Sequence, residues 1–169
     1  MATLLVVIGS VFIVSAVVLA FMSSRWASLS AYAGLWIFVL GKTVVISSGQ
    51  LIFWGAAVAI VLLLGWLLPR EVAMARKGVP YIAGASLAGV LVGMLMSSAG
   101  MIIGAALGAF CGALAYSRTP VGSVLEFPSV KFANYLGAKG LPVVVTMCIV
   151  ALVIALAVSQ HDIIQAINN

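Results

Sequence analysis

The sequence predicts an all-α fold, a polytopic transmembrane helical bundle of five to six membrane segments that includes a glycine-zipper helical hairpin over residues 79–118. Three observations carry this expectation. The 169 residues are 65% hydrophobic and only 7% charged, whereas a soluble domain has about a quarter of its residues charged. The apolar residues fall into runs of roughly the twenty needed to cross a bilayer. Glycine recurs every fourth residue in one of those runs. A disordered chain is excluded because such chains are poor in hydrophobic residues. Residues 1–169 are read as a single integral membrane domain, with no room for a soluble module.

Segment one runs from about Ala2 to Met22 and stops at Ser23-Ser24-Arg25. It has no basic leader and is too long for a signal-type core. Segment two runs from Trp26 to about Ile46, with Lys42 near its end, and Ser47-Ser48-Gly49-Gln50 forms the next break. Segment three, Leu51 to Leu68, ends at Pro69-Arg70, where proline interrupts the helical hydrogen-bond ladder. A polar connection from Glu71 to Gly78 carries Arg76 and Lys77.

The apolar stretch from Val79 to Arg118 is too long for one crossing and divides at Ser97-Ser98-Ala99-Gly100. Two helices are expected, about 80–96 and 101–116, with Pro80 in a first turn that tolerates it. They either cross fully or form a re-entrant pair. Thr119 to Gly140 is expected as a connection lying on the membrane, because Phe127, Val130, Phe132, Tyr135 and Leu136 alternate with charges. The last span is placed at 141–158, followed by a short polar tail.

Placing the two long basic connections in the cytoplasm puts Arg70, Arg76, Lys77, Arg118, Lys131 and Lys139 there, as positive-inside statistics favour. Alternation then adds Arg25 and leaves only Lys42 opposite. Both termini are thereby expected on the non-cytoplasmic side. This location explains the formal net charge of +5 without nucleic acid as a partner. The same six bases are candidate contacts for anionic membrane lipid.

Gly100, Gly104, Gly108 and Gly112 leave a groove along one helix face, with Ala105, Ala109 and Ala113 beside it. The preceding helix carries Ala85, Gly89, Gly93 and Ser97 in the same rhythm. Rows of small residues let helix backbones approach closely in lipid, where no hydrophobic drive separates helix from solvent. The two rows can meet within one subunit, or one can build a homo-oligomer or receive another membrane subunit. A thin pathway for a solute is the third reading. Around this stretch, residues 62–69 (LLLGWLLP) and 104–114 (GAALGAFCGAL) resemble a bacterial glycine-zipper membrane protein family, the domain of unknown function four-five-six. The resemblance implies a small protein of the bacterial inner membrane. Gly65 and Ala113 stand where members often carry acids, so a role resting on those acids does not carry over.

No acid falls within a proposed span; Glu71, Glu126 and Asp162 lie in connections or the tail. Buried carboxylates are the usual markers of proton relays, so a proton-coupled pump is disfavoured. Cys111 and Cys148 sit inside apolar runs and read as small buried hydrophobes. His161, three residues past the last span, reads as a solvated side chain. No nucleophile–base pair is evident, and neither enzyme chemistry, cofactor nor metal site is expected. Lys42 reads as a snorkelling cation or as a counter-ion beside Gln50. The expected function is a structural or accessory membrane subunit. The alternative is a small transporter for an uncharged or lipid-like solute, written as three plus three segments of opposite orientation.

Overall fold

The computed structural model describes residues 2–22, 26–67, 76–123, 125 and 127–168, with residues 2, 3, 76 and 160–168 described by backbone alone. The protein is all-helical, with no strand among the described residues. In order, α1 is Ala2–Phe21, α2 Ala27–Leu40, α3 Ser48–Leu67, α4 Val79–Met94 and α5 Ser98–Ser117. Then α6 (Val130–Tyr135), a π-type turn (Leu136–Gly140) and α7 (Leu141–Asn168) run on without a break, so there are six rods. Four stretches are long and apolar enough to cross a membrane: Leu4–Phe21, Ser48–Leu67, Ser98–Ser117 and Val130–Ser159. The valine- and isoleucine-rich composition of these runs would suit strands in water. In hydrocarbon every backbone group must be satisfied within its own segment, and that favours helix. The remaining two rods, α2 and α4, are shorter, at 14 and 16 residues.

The centre is α7. Residues 145–153 are buried without interruption, the pattern of a helix apolar all round and surrounded on every side. It packs against all of α1 to α5. Two helix pairs flank it, α1 with α2 and α4 with α5. The peripheral rod is α3, which buries only Trp54, Val58 and Val61. It is held to α2 where the Tyr32 hydroxyl donates to the Leu51 carbonyl at 3.3 Å.

Helix α2 ends earlier than the expected boundary at Ile46. The amide of Lys42 donates to Val39 O at 3.0 Å and that of Thr43 to Phe38 O at 3.1 Å. Lys42 itself has a φ of 53°. This is the paired hydrogen-bond arrangement that closes many helices, with lysine in the left-handed position usually held by glycine. Lys42 therefore lies exposed in a connection rather than inside a span.

The last helix departs most from expectation. Instead of starting at Leu141 after a surface stretch, it begins at Val130, behind an extended Ser129 whose hydroxyl accepts the Phe132 amide at 3.1 Å. Pro142 has no N–H to offer the carbonyl four residues back. The chain accommodates it by widening: the Leu141 amide donates five residues back to Leu136 O, the signature of a π turn. Cys111 also differs from the expected burial. It lies on the outward face of α5 in line with Ile103 and Leu107, all three exposed, whereas Cys148 is buried.

Candidate functional site

The closest helix–helix contact runs along α4 and α5. The two are joined by residues 95–97, and Ser97 caps α5 by accepting the Gly100 amide at 2.9 Å. A methyl group placed on Gly93 would strike the Gly100 carbonyl, and one on Gly89 the Gly104 carbonyl. On Gly108 it would meet Ala85 O, and on Gly112 Tyr81 O. Each pair of residue numbers adds to the same value, so the two helices run antiparallel in one unbroken register over four levels. Ala85, Gly89, Gly93, Gly100, Gly104, Gly108 and Gly112 all lie on this seam. At each level the obstacle is backbone rather than a movable side chain, and α4 and α5 touch main chain to main chain.

Small residues alone do not fix such a register, since helices of this kind can slide by one turn. Ser86, fully buried on α4, donates its hydroxyl to the Ala105 carbonyl at 3.1 Å and pins the two helices together. Beside the seam, Ala105, Ala109 and Ala113 are buried.

Three tyrosines close one end. The rings of Tyr81 and Tyr116 lie 5.9 Å apart and those of Tyr116 and Tyr135 6.1 Å apart, the second pair stacked. Gly78 sits against them so closely that a side chain there would overlap the Tyr135 hydroxyl and the Tyr116 ring. A second aromatic group, Phe110, Phe127 and Phe132, packs edge to face with centroids 5.2–5.9 Å apart. It joins α5 to the start of α6. Neither group follows from helical periodicity. Tyr81, Tyr116 and Tyr135 do share one signal in the sequence: each lies within four residues of a base flanking an apolar run (Lys77, Arg118, Lys131 or Lys139). That is where aromatic belts form at a membrane interface.

Among the six bases proposed to contact lipid, Lys77, Arg118 and Lys131 are exposed and Lys139 is half-buried. Arg70 and the side chain of Arg76 lie outside the described residues, as do Glu71, Glu126 and the His161 and Asp162 side chains. Comparison with known proteins found no matching family model, curated protein or solved structure.

Proposed function

We propose that the chain is a non-enzymatic structural or accessory subunit of a bacterial inner membrane, built around a glycine-zipper helical hairpin at 79–118. The observation that carries this reading is the four-level backbone contact of α4 with α5. It consumes the small-residue faces within one subunit and builds a rigid element whose seam holds backbone, small side chains and the Ser86 hydroxyl, already engaged by the Ala105 carbonyl. The likeness of residues 62–69 and 104–114 to a bacterial membrane family, and the bias of bases toward one set of connections, support the location and orientation. The outer faces of α1 and α3 remain for lipid, a second copy or another subunit. Against the transporter alternative stands the order of helix lengths. The first half opens long then short (20 and 14 residues) and the second short then long (16 and 20), which does not suit superposable inverted halves. The test is native mass spectrometry of the full chain extracted from its own membrane in mild detergent. A stoichiometric second subunit or a homo-oligomer is expected. A monomer carrying a small polar solute would overturn the accessory reading.

A further inference from the structure

A fissure separates α5 from the last helix. At one end a cavity of about 490 Å³ is bounded by Phe110 on α5 and by Pro128, Val130, Ala133 and Leu136. A second cavity of about 250 Å³ continues beyond Leu136, between Ala106 and Ala109 on α5 and Gly137, Gly140 and Val144 opposite. Leu136 borders both. The gap exists because small residues face each other across it, Ala106 and Ala109 against Gly137 and Gly140, where the π turn widens the helix. From Ser129 to Val144 the last helix rises about 22 Å. One leaflet of a bilayer, hydrocarbon plus headgroup layer, is about 21 Å deep. The two ends of this groove differ. Tyr116 stacks on Tyr135 while Ala106 and Ala109 face Gly140 and Val144, so α5 and the last helix run antiparallel, and the end of α5 at Arg118 and the start of α6 at Lys131 lie at the same end. Both bases are exposed. Toward Val144 the lining is wholly apolar.

We propose that this groove binds one acyl chain of an anionic phospholipid, with the headgroup at the Arg118–Lys131 end and the chain running past Leu136 to Val144. The occupant is set by three matches: an apolar floor, a length of one leaflet, and exposed bases at one end, Lys139 being half-buried and not among the residues that line the groove. A zwitterionic lipid fits the floor equally but gains nothing from the bases. The site rests on the reading of the chain as membrane-embedded and is independent of any partner subunit.

The experiment uses the full chain in phosphatidylcholine vesicles doped with a minor fraction of phosphatidylglycerol carrying a photoactivatable diazirine on one acyl chain. Cross-links are mapped by peptide mass spectrometry. Label is expected on residues 106–110 and 133–144, about tenfold denser than on the exposed faces of α1 and α3. The same diazirine on phosphatidylcholine should label the groove about thirtyfold less, the combined effect of two juxtamembrane bases at about 1 kcal/mol each on anionic lipid. Lys131→Gln should cut that preference to about fivefold, the share left to Arg118, and leave the phosphatidylcholine signal unchanged. Ala133→Trp, at an exposed position, should block the groove; its thermal unfolding in detergent, unchanged from the parent, shows that the fold survives. Even labelling of all lipid-facing helices, or equal labelling by the two lipids, overturns the proposal. Either result leaves the accessory role intact, because subunit composition is read separately.

Discussion

The two flanking helix pairs reach similar arrangements by different contacts. In α1/α2 the glycines face side chains: a methyl group on Gly34 would lie 3.1 Å from Ile13 Cδ1, and one on Gly9 would meet the ring of Phe38. Hydroxyls supply part of the seam. Ser15 and Ser30 lie 2.9 Å apart, and both reach the Phe12 carbonyl. In α4/α5 the nearest atom to each seam glycine is a backbone carbonyl, which cannot rotate away. One pair is packed by adaptable groups and the other by fixed ones. Tolerance to substitution should therefore differ sharply between two pairs of helices that look alike by composition.

The largest expected effect is at the fixed seam. Gly89→Ala, Gly104→Ala and Gly108→Ala should each destabilise by about 3 kcal/mol or more, because a helix must shift bodily to admit the methyl group. Reversible unfolding in mixed micelles measures this, and a loss below about 1 kcal/mol would erase the contrast. At the more adaptable seam Gly34→Ala should cost about 1–2 kcal/mol by the same measurement, since Ile13 can change rotamer while the Phe12 Cβ, 3.2 Å from the added methyl group, needs only a small backbone shift.

Lys42→Gly should stabilise by about 1 kcal/mol by relieving the left-handed conformation at the end of α2. No gain would mean that the lysine side chain compensates the strain. Gly84→Ala provides an internal control for α4. With nothing within 4 Å of the added methyl group, helix propensity should dominate and stability should rise by about 0.5–1 kcal/mol. An effect of similar size is expected for Ser86→Ala, a loss of about 0.6 kcal/mol, the average for a hydrogen bond between membrane helices. If that loss matches the glycine substitutions, the hydroxyl rather than the backbone contact governs the seam.

Much of the helix layout was legible because hydrocarbon leaves few alternatives. Runs such as 51–67 had to become helix once their composition placed them in lipid, and the break near Ser97 was readable because residues 79–118 are too long for one crossing and are interrupted by Ser97-Ser98-Ala99-Gly100. The misplaced start of the last helix has a definite cause. Lys131 and Lys139 among Phe127, Val130, Phe132 and Tyr135 look like a stretch lying on the membrane, yet Lys131 sits on an exposed side of a helix that starts at Val130, and a π turn carries that helix on through Pro142. Local hydrogen bonding decided that outcome, and periodicity does not report it. Lys42 was misplaced for a related reason, since lysine rarely takes the left-handed position that ends α2. The candidate seam was legible in its residues but not in its register, which depends on Ser86 and on the tyrosines around Gly78. The groove beside the π turn was not legible, because it exists only where that turn meets two alanines of another helix.

The shortness of α2 has a mechanical consequence for the surrounding lipid. Its 14 residues rise about 21 Å, against about 30 Å of hydrocarbon in an average bilayer. Were α2 to cross such a bilayer, the leaflet around Gly41 would have to dimple inward, or water would follow Lys42 down to the helix end, at a cost of fractions of a kcal/mol per ångström of mismatch. The 30-residue apolar stretch Val130–Ser159 mismatches in the opposite sense, so bilayer thickness acts on the two helices in opposite directions.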